Sequence, residues 1–337
     1  MDPSPDAAIL RALHAAAENS GNGFIPPSAL GHPPEVSLRI AGLREAGYEI
    51  EQHPFHGYRL VFSPDRLIAD DIVSRLPERE WIRDPLVFQK TTSTNDVIAS
   101  LARDGAAEGA VVFAEEQTAG RGRLGRRWAS DPSLGLWFSL LLRPAMPLAL
   151  WPRITLWIAF AIAHGIEDYA RAQPSTTPLA PLALKWPNDL HLSGRKLAGI
   201  LVETSLGEQP FATAGIGLNI NHPSFPPPLD STATSLRIAI GSSLDRNGVA
   251  AAVLSSLDRS YPLASTGFPE VIAWANRVDC LRRRQVSATA GAVIHRGTAE
   301  GIDPGGALLL RTPEGELLPL SSGEVTHFSP EPPTERP

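Results

Sequence analysis

Over the first fifty residues apolar side chains recur at helical spacing; beyond them most apolar blocks are short and strand-like. Pro5–Asn19 has the helical period, a loop with SGNG and IPP follows, and a second helix is expected over Glu35–Gly47. In that helix Val36, Ile40 and Leu43 share a face, and Gly47 stops it. YEIEQHPFHGYRLVF reads as two strands around a turn. Helix, helix and hairpin in that order predict a winged helix-turn-helix over 1–66, with 67–81 as a linker.

Residues 82–275 alternate strands with helices. LVFQK, GAVVFAEEQ and LWFSLLLRP read as strands, and DVIASLAR as a helix with Asn95 as N-cap. WPRITLWIAFAIAHGIEDYARA is a long, largely buried helix, followed by the strand-like runs LALKWPNDLHL, KLAGILVETSL and ATAGIGLNI. Short paired strands with few crossovers favour an α+β domain with a mixed, mostly antiparallel sheet flanked by helices. Residues 279–330 repeat short strands between glycine turns, the pattern of a small β-barrel. The proline-rich tail, 331–337, is expected to be disordered.

Charge changes the reading of the N-terminal part. Residues 1–80 hold seven arginines, no lysine and twelve acids, whereas 81–337 are nearly balanced. Gripping DNA phosphates needs concentrated positive charge, and this region starts with a deficit. Within Glu35–Gly47, Arg39 and Arg44 are offset by Glu35 and Glu45. The chain has a single cysteine, Cys280, which excludes an internal disulfide framework and reads as a small buried side chain. MDPSPDAAIL lacks the features of a secretory signal, and no apolar run reaches the ~20 residues that span a bilayer. A cytoplasmic protein with no membrane partner is expected. His53 and His56 sit around Pro54 and Gly57 in a turn, so no zinc set is read there and no metal ligand is assigned.

The densest chemistry is AEEQTAGRGRLGRRW, residues 114–128, where Arg121, Arg123, Arg126 and Arg127 interleave with Gly120, Gly122 and Gly125. Glycines let backbone approach a ligand closely, and arginines donate to carboxylate or phosphate. A solvated surface turn and a loop closing over an anion are both open readings. Trp128, at the end of the run, could stack on a nucleobase. No GK[ST] follows, so this is not a Walker loop. KWPNDL places Lys185, Asn188 and Asp189 around a turn, and Lys196 heads the apolar run KLAGILVE. Lys196 is either an edge charge or a cation aimed at an anion site. Asp189 is either a turn residue, a help to a cation, or a partner that orients a lysine.

TTSTND, EEQTAGRGRLGRRW, KWPNDL, RKLAGILVE and GIGLNIN, in this order across 91–221, resemble the biotin–protein ligase family, and EGIDPGGALLLRT extends the likeness more weakly. The likeness is close over some 240 residues and loose over the first 80. It implies a class II aminoacyl-tRNA synthetase-like catalytic domain and an SH3-like C-terminal barrel. It further implies that ATP, with Mg2+, activates biotin as biotinyl-5′-AMP. A lysine of a biotin carboxyl carrier domain, such as that of acetyl-CoA carboxylase, then takes the biotin. By the same resemblance Ser93, Thr94, Asn95 and Gln117 line the biotin pocket, and Arg121, Gly122 and Arg123 order over biotin and the adenylate. Trp128 stacks on adenine, Lys196 meets the biotin carboxylate and α-phosphate, and Lys185, Asn188, Asp189 and Asn219 border the nucleotide. Lys196, Arg121, Arg123 and Asp189 are the expected catalytic set. For Asn188 and Asn219 the alternative is simple turn capping.

Some family members are also biotin-responsive transcriptional repressors, and LREAGYEIEQHPFHGYRLV resembles the end of their winged module. The segment between Phe24 and Gly47 is about five residues shorter than the family unit, with HPPEVS in place of its usual turn. A structural winged-helix unit is therefore favoured over a DNA-binding one. A lipoate ligase or octanoyl transferase is the rival enzyme reading, and a homodimer is left open.

Overall fold

The computed structural model describes residues 3–18, 22–31, 33–173 and 178–328; the expected disordered tail lies outside them. Two helices and a hairpin come first: α1 (Pro5–Glu18), α2 (Pro33–Glu45), β1 (Glu49–His53) and antiparallel β2 (Gly57–Phe62). Ile9, Leu10, Leu13, Val36, Ile40, Leu43, Tyr48, Ile50 and Tyr58 form their own small core. The helical period of both segments is what brings those residues to one face.

The span 67–81, expected as a linker, carries a helix, α3 (Ala69–Arg75), because Leu67, Ile72, Leu76 and Ile82 are long enough apolar side chains to join the main core. At its start the fully buried Asp71 sits 2.9 Å from His14 Nε2 of α1. It accepts hydrogen bonds from Tyr48 Oη (3.0 Å) and Arg75 Nε (2.8 Å). Burial opposes its charge, but His14 and Arg75 hold its carboxyl down at about 2. The N-terminal unit thus rests on a buried polar joint.

The central sheet contains β3 (Leu86–Thr91), β4 (Val111–Gln117), β5 (Gly135–Leu142), β6 (Leu182–Lys185), β7 (Asp189–Leu192), β8 (Arg195–Ser205) and β9 (Phe211–Asn219). Their spatial order is β3-β4-β5-β9-β8-β7-β6; only β3–β4 is parallel. The mixed, mostly antiparallel expectation is met. α4 (Thr94–Arg103) crosses between β3 and β4, and α5 (Arg153–Ala172), α6 (Leu236–Ile240), α7 (Arg246–Ser260) and α8 (Phe268–Val278) complete the helices. Every residue of β5 is buried, since helices cover both faces. Leu136, Phe138 and Leu140 face the main core with α5 and α7, and Leu141 faces Ile98 and Ala102 of α4. Ser93, not Asn95, occupies the N-cap position of α4.

A five-stranded antiparallel sheet closes the chain, with order β13-β12-β11-β10-β14. Its strands are β10 (Gln285–Ala290), β11 (Val293–Ile302), β12 (Leu308–Arg311), β13 (Leu317–Leu320) and β14 (Glu324–Phe328). Trp186 Nε1 donates to the Gly306 carbonyl (3.0 Å), tying this sheet to the turn between β6 and β7. No helix among the described residues is long and apolar enough to cross a membrane.

Candidate functional site

A cleft of about 440 Å3 opens over β8 and β9, and every candidate residue except Asn219 lines it. Its floor is glycine. A Cβ on Gly217 would come within 2.2 Å of Trp128 Cε2, one on Gly199 within 2.8 Å of Trp128 Cζ3, and one on Gly215 within 2.6 Å of Asn95 Oδ1. Only glycine at these strand positions leaves room for an indole and an amide to lie flat on the sheet. Asn219 is instead buried at the end of β9, where its amide donates to the Thr234 carbonyl (3.1 Å).

The first turn of α4 forms one end of the cleft as a closed relay. Gln117 Oε1 accepts from Thr94 N (2.8 Å) and Thr94 Oγ1 (3.1 Å), and Gln117 Nε2 donates to Ser130 Oγ (2.9 Å). Ser139 Oγ is 2.7 Å from Thr94 Oγ1 and donates to Asn95 Oδ1 (2.6 Å). Ser93, Thr94 and Asn95 are buried, so these hydrogen bonds fix which polar atoms face the cavity.

The glycine-arginine loop folds back over the cleft as a tight hairpin. Gly122 N donates to Arg126 O (2.7 Å) and Trp128 N to Gly120 O (2.9 Å). Leu124 and Gly125, with φ of 56° and 72°, take the left-handed turn at its tip. Arg121 Nη1 pairs with Asp96 (2.7 Å) and Nη2 with Glu203 (3.0 Å). Arg123 donates to Asn188 Oδ1 (3.0 Å) and to the Gly323 carbonyl (2.9 Å), while Arg126 pairs with Glu324. On the opposite wall, a register shift between Leu190 and His191 sets the start of β8. There Lys196 Nζ lies 2.8 Å from Asp189 Oδ1 and 5.2 Å from the centre of the Trp128 ring. Of the readings open for Asp189, orienting a lysine is the one this geometry matches.

Electrostatically the cleft is a cluster of cations with few carboxylates. Burial lowers Arg123 from its ordinary value and lowers His191, which also lines the cleft. Burial also works against Arg121, yet Glu203 and Asp96 hold it above its ordinary value. Trp128 Nε1 is buried without a hydrogen-bond partner. Such a site can take a planar ring against Trp128, an anion between Arg123 and Lys196, and an amide-bearing group against Asn95 and Thr94. Among the described residues no group of three or more His, Cys, Asp or Glu is placed to hold a metal. The sequence reading missed Asp96, Ser130, Trp186, His191, Glu203 and Glu324. Glu324 had no legible signal, because it comes from the last strand, some ninety residues beyond Ala233, the nearest lining residue outside that strand.

Residues 87–221 match the Biotin/lipoate A/B protein ligase family, and residues 284–327 match the Biotin protein ligase C terminal domain. The bifunctional ligase/repressor BirA of Bacillus spizizenii is 38% identical over 287 residues, which is 83% of this chain and 85% of that protein. The biotin--[acetyl-CoA-carboxylase] ligase of Mycobacterium tuberculosis is 34% identical over 251 residues, 74% of this chain and 90% of its own. Among solved structures, a biotin protein ligase from Aquifex aeolicus in complex with biotin and ATP superposes with a TM-score of 0.61 at 28% identity. It covers 73% of this chain and 97% of its own.

Proposed function

The chain belongs to the biotin protein ligase family, and from that premise we infer that it condenses biotin with ATP to biotinyl-5′-AMP, releasing pyrophosphate, and then passes biotin to a carrier lysine, releasing AMP. The observation that carries this reading is one cleft holding the Arg121–Arg123 loop, Trp128 and Lys196 together. The first step brings a carboxylate against a negatively charged phosphate, so positioning and charge neutralisation supply most of the acceleration. Thr94, Asn95 and Gln117 orient biotin, Trp128 stacks on adenine, and Lys196 with Arg123 meets the carboxylate and α-phosphate. Asp189 aims Lys196; Lys185 and Asn188 border the nucleotide, and Asn188 also anchors Arg123. Asn219 acts through Thr234, shaping the wall rather than touching the nucleotide. Folding the loop over the product keeps water from the mixed anhydride.

Magnesium commonly keeps its waters and leans on phosphate oxygens with one or two carboxylates. The cleft is lined by few carboxylates, Asp189 and Glu324 among them, so such an ion would rely mainly on the phosphates and its waters, and when bound it would neutralise phosphate charge. The acceptor is a biotin carboxyl carrier domain, as of acetyl-CoA carboxylase. The match of 284–327 to the biotin protein ligase C-terminal domain favours biotin over lipoate or octanoate. The central domain follows the class II synthetase-like plan and the last sheet an SH3-like barrel. The proposed units are 1–66, 82–275 and 279–330, with 67–81 joining the first two. Incubation with labelled biotin, MgATP and a carrier domain tests the function: label must appear on the carrier lysine, and its absence refutes the reading.

The N-terminal unit is a winged-helix support in this reading rather than a DNA reader, although similar Bacillus proteins are named ligase/repressors. Both arginines of α2 are engaged within the protein: Arg39 with Asp6 (3.0 Å) and Arg44 with the Ile50 carbonyl (2.6 Å). A gel-shift with biotin and ATP decides; a specific shift overturns the supporting role. A homodimer through the edge strand β3 is a further reading, favoured by its exposed Leu86 and Phe88, and sedimentation across concentrations tests it.

A further inference from the structure

Glu203 lies on β8, seven residues beyond Lys196 and outside the set that meets the substrates. Its Oε2 accepts from Asn95 Nδ2 (2.7 Å), an amide of the cavity end, and from Arg121 Nη2 (3.0 Å), a guanidinium of the loop. The other half of that guanidinium is held by Asp96 Oδ1 (2.7 Å), from the first turn of α4. One cation of the loop is therefore gripped by two carboxylates from two different elements. One of those carboxylates also fixes the amide that faces the cavity. Arg121 lies between Gly120 and Gly122, bridged to Arg127 at the base of the hairpin, so holding it holds the base of the loop.

We propose that Glu203, assisted by Asp96, is a positioning residue that clasps the glycine-arginine loop to the sheet and ties its closure to the orientation of Asn95. The proposal rests on the ligase reading above. Its consequence lies in how the adenylate partitions: a clasped loop retains the intermediate for the carrier, and a loosened one loses it to water as biotin and AMP. Arg121 and Glu203 are both partly exposed, at 38% and 44%, so the clasp is open to screening by salt. Exposed pairs of this kind are modest, which sets the expected effect at roughly two- to fivefold.

The test uses the full chain with labelled biotin, MgATP and a carrier domain, and reads the ratio of AMP released in excess of transfer to biotin transferred. E203Q is expected to raise that ratio roughly two- to fivefold and to speed tryptic cleavage within the loop, with D96N acting in the same direction. Because both carboxylates grip one guanidinium, the double variant should show less than the product of the two effects. Added salt should raise the ratio for the parent protein more than for E203Q. Melting temperature identifies a variant that has merely unfolded; in that event D96N and the salt series on the parent protein decide. An unchanged ratio and unchanged cleavage in folded E203Q, or a salt effect as large in the variant as in the parent, overturns the proposal. A parent protein that forms no adenylate overturns the ligase reading itself.

Discussion

At position 196 the lysine is held by Asp189 and sits over the Trp128 ring, which gives a flexible cation one place to be. Lys196→Ala should cut adenylate formation by roughly 10²–10³-fold, the scale of a lost charge-stabilising donor. Pyrophosphate exchange measures the loss, and an unchanged melting temperature separates it from unfolding. Gly217 makes the complementary case, because a methyl there would occupy the Trp128 ring's position. Gly217→Ala should therefore raise KM for ATP far more than KM for biotin. A stacking contact of about 1–3 kcal/mol corresponds to roughly five- to hundredfold. Equal change in both constants would argue against Trp128 as the adenine platform.

Among the elements, α7 is bound to the sheet by an ion pair almost without solvent. Arg246 is 1% exposed and pairs through Nη1 with Glu115 of β4 at 2.8 Å, and through Nε with Asp65 at 2.9 Å. Burial opposes the charge of Glu115, yet Arg246 and the N–H groups of Leu67 and Ser133 hold its carboxyl below the usual range. Arg246→Met leaves that carboxylate buried and uncompensated, at an expected cost of about 3–5 kcal/mol. A thermal melt reads this directly, and a loss under 1 °C would show the pair to be unimportant. Glu115 lies two residues before Gln117, so displacement of β4 should also disturb the Thr94–Gln117 relay.

For the whole molecule, two carboxyl groups at the joints between units set opposite pH limits. Asp71, held at about 2 beneath the N-terminal unit, lends stability that is present above the ordinary carboxylate pKa and lost as pH falls from about 4 through 2. Asp279, between α8 and the last sheet, is pushed up to about 6 by burial, and its Oδ2 has no hydrogen-bond partner. A raised acid favours the folded state below its unfolded pKa, and that contribution disappears as pH rises through 6. Asp279→Asn should thus raise the melting temperature at pH 8 and leave it nearly unchanged at pH 4. Asp71→Asn should lower it at pH 7 and matter little near pH 2. A scan of melting temperature against pH for both variants checks the signs.

Period and spacing alone placed α1, α2, the first hairpin, α5 and most strands of the central sheet, because alternation and helical repeats report directly on which face is buried. LALKWPNDLHL, read as one strand-like run, is two strands, β6 and β7, around a turn. Ordered motifs likewise marked the residues of the cleft, since chemistry needs particular side chains on neighbouring short segments. Helix α3 was not legible: its short apolar set is indistinguishable from linker until a partner surface covers it. Asn95 illustrates the same limit, fitting an N-cap by type while Ser93 holds that position and Asn95 turns to Ser139 and Glu203. Asn219 looked like its motif neighbours yet faces Thr234, because strand register decides which side chains enter a cavity. Only the tertiary structure could bring Glu203 and Glu324 to the loop arginines, since ion pairs between distant segments leave no periodic trace along a chain.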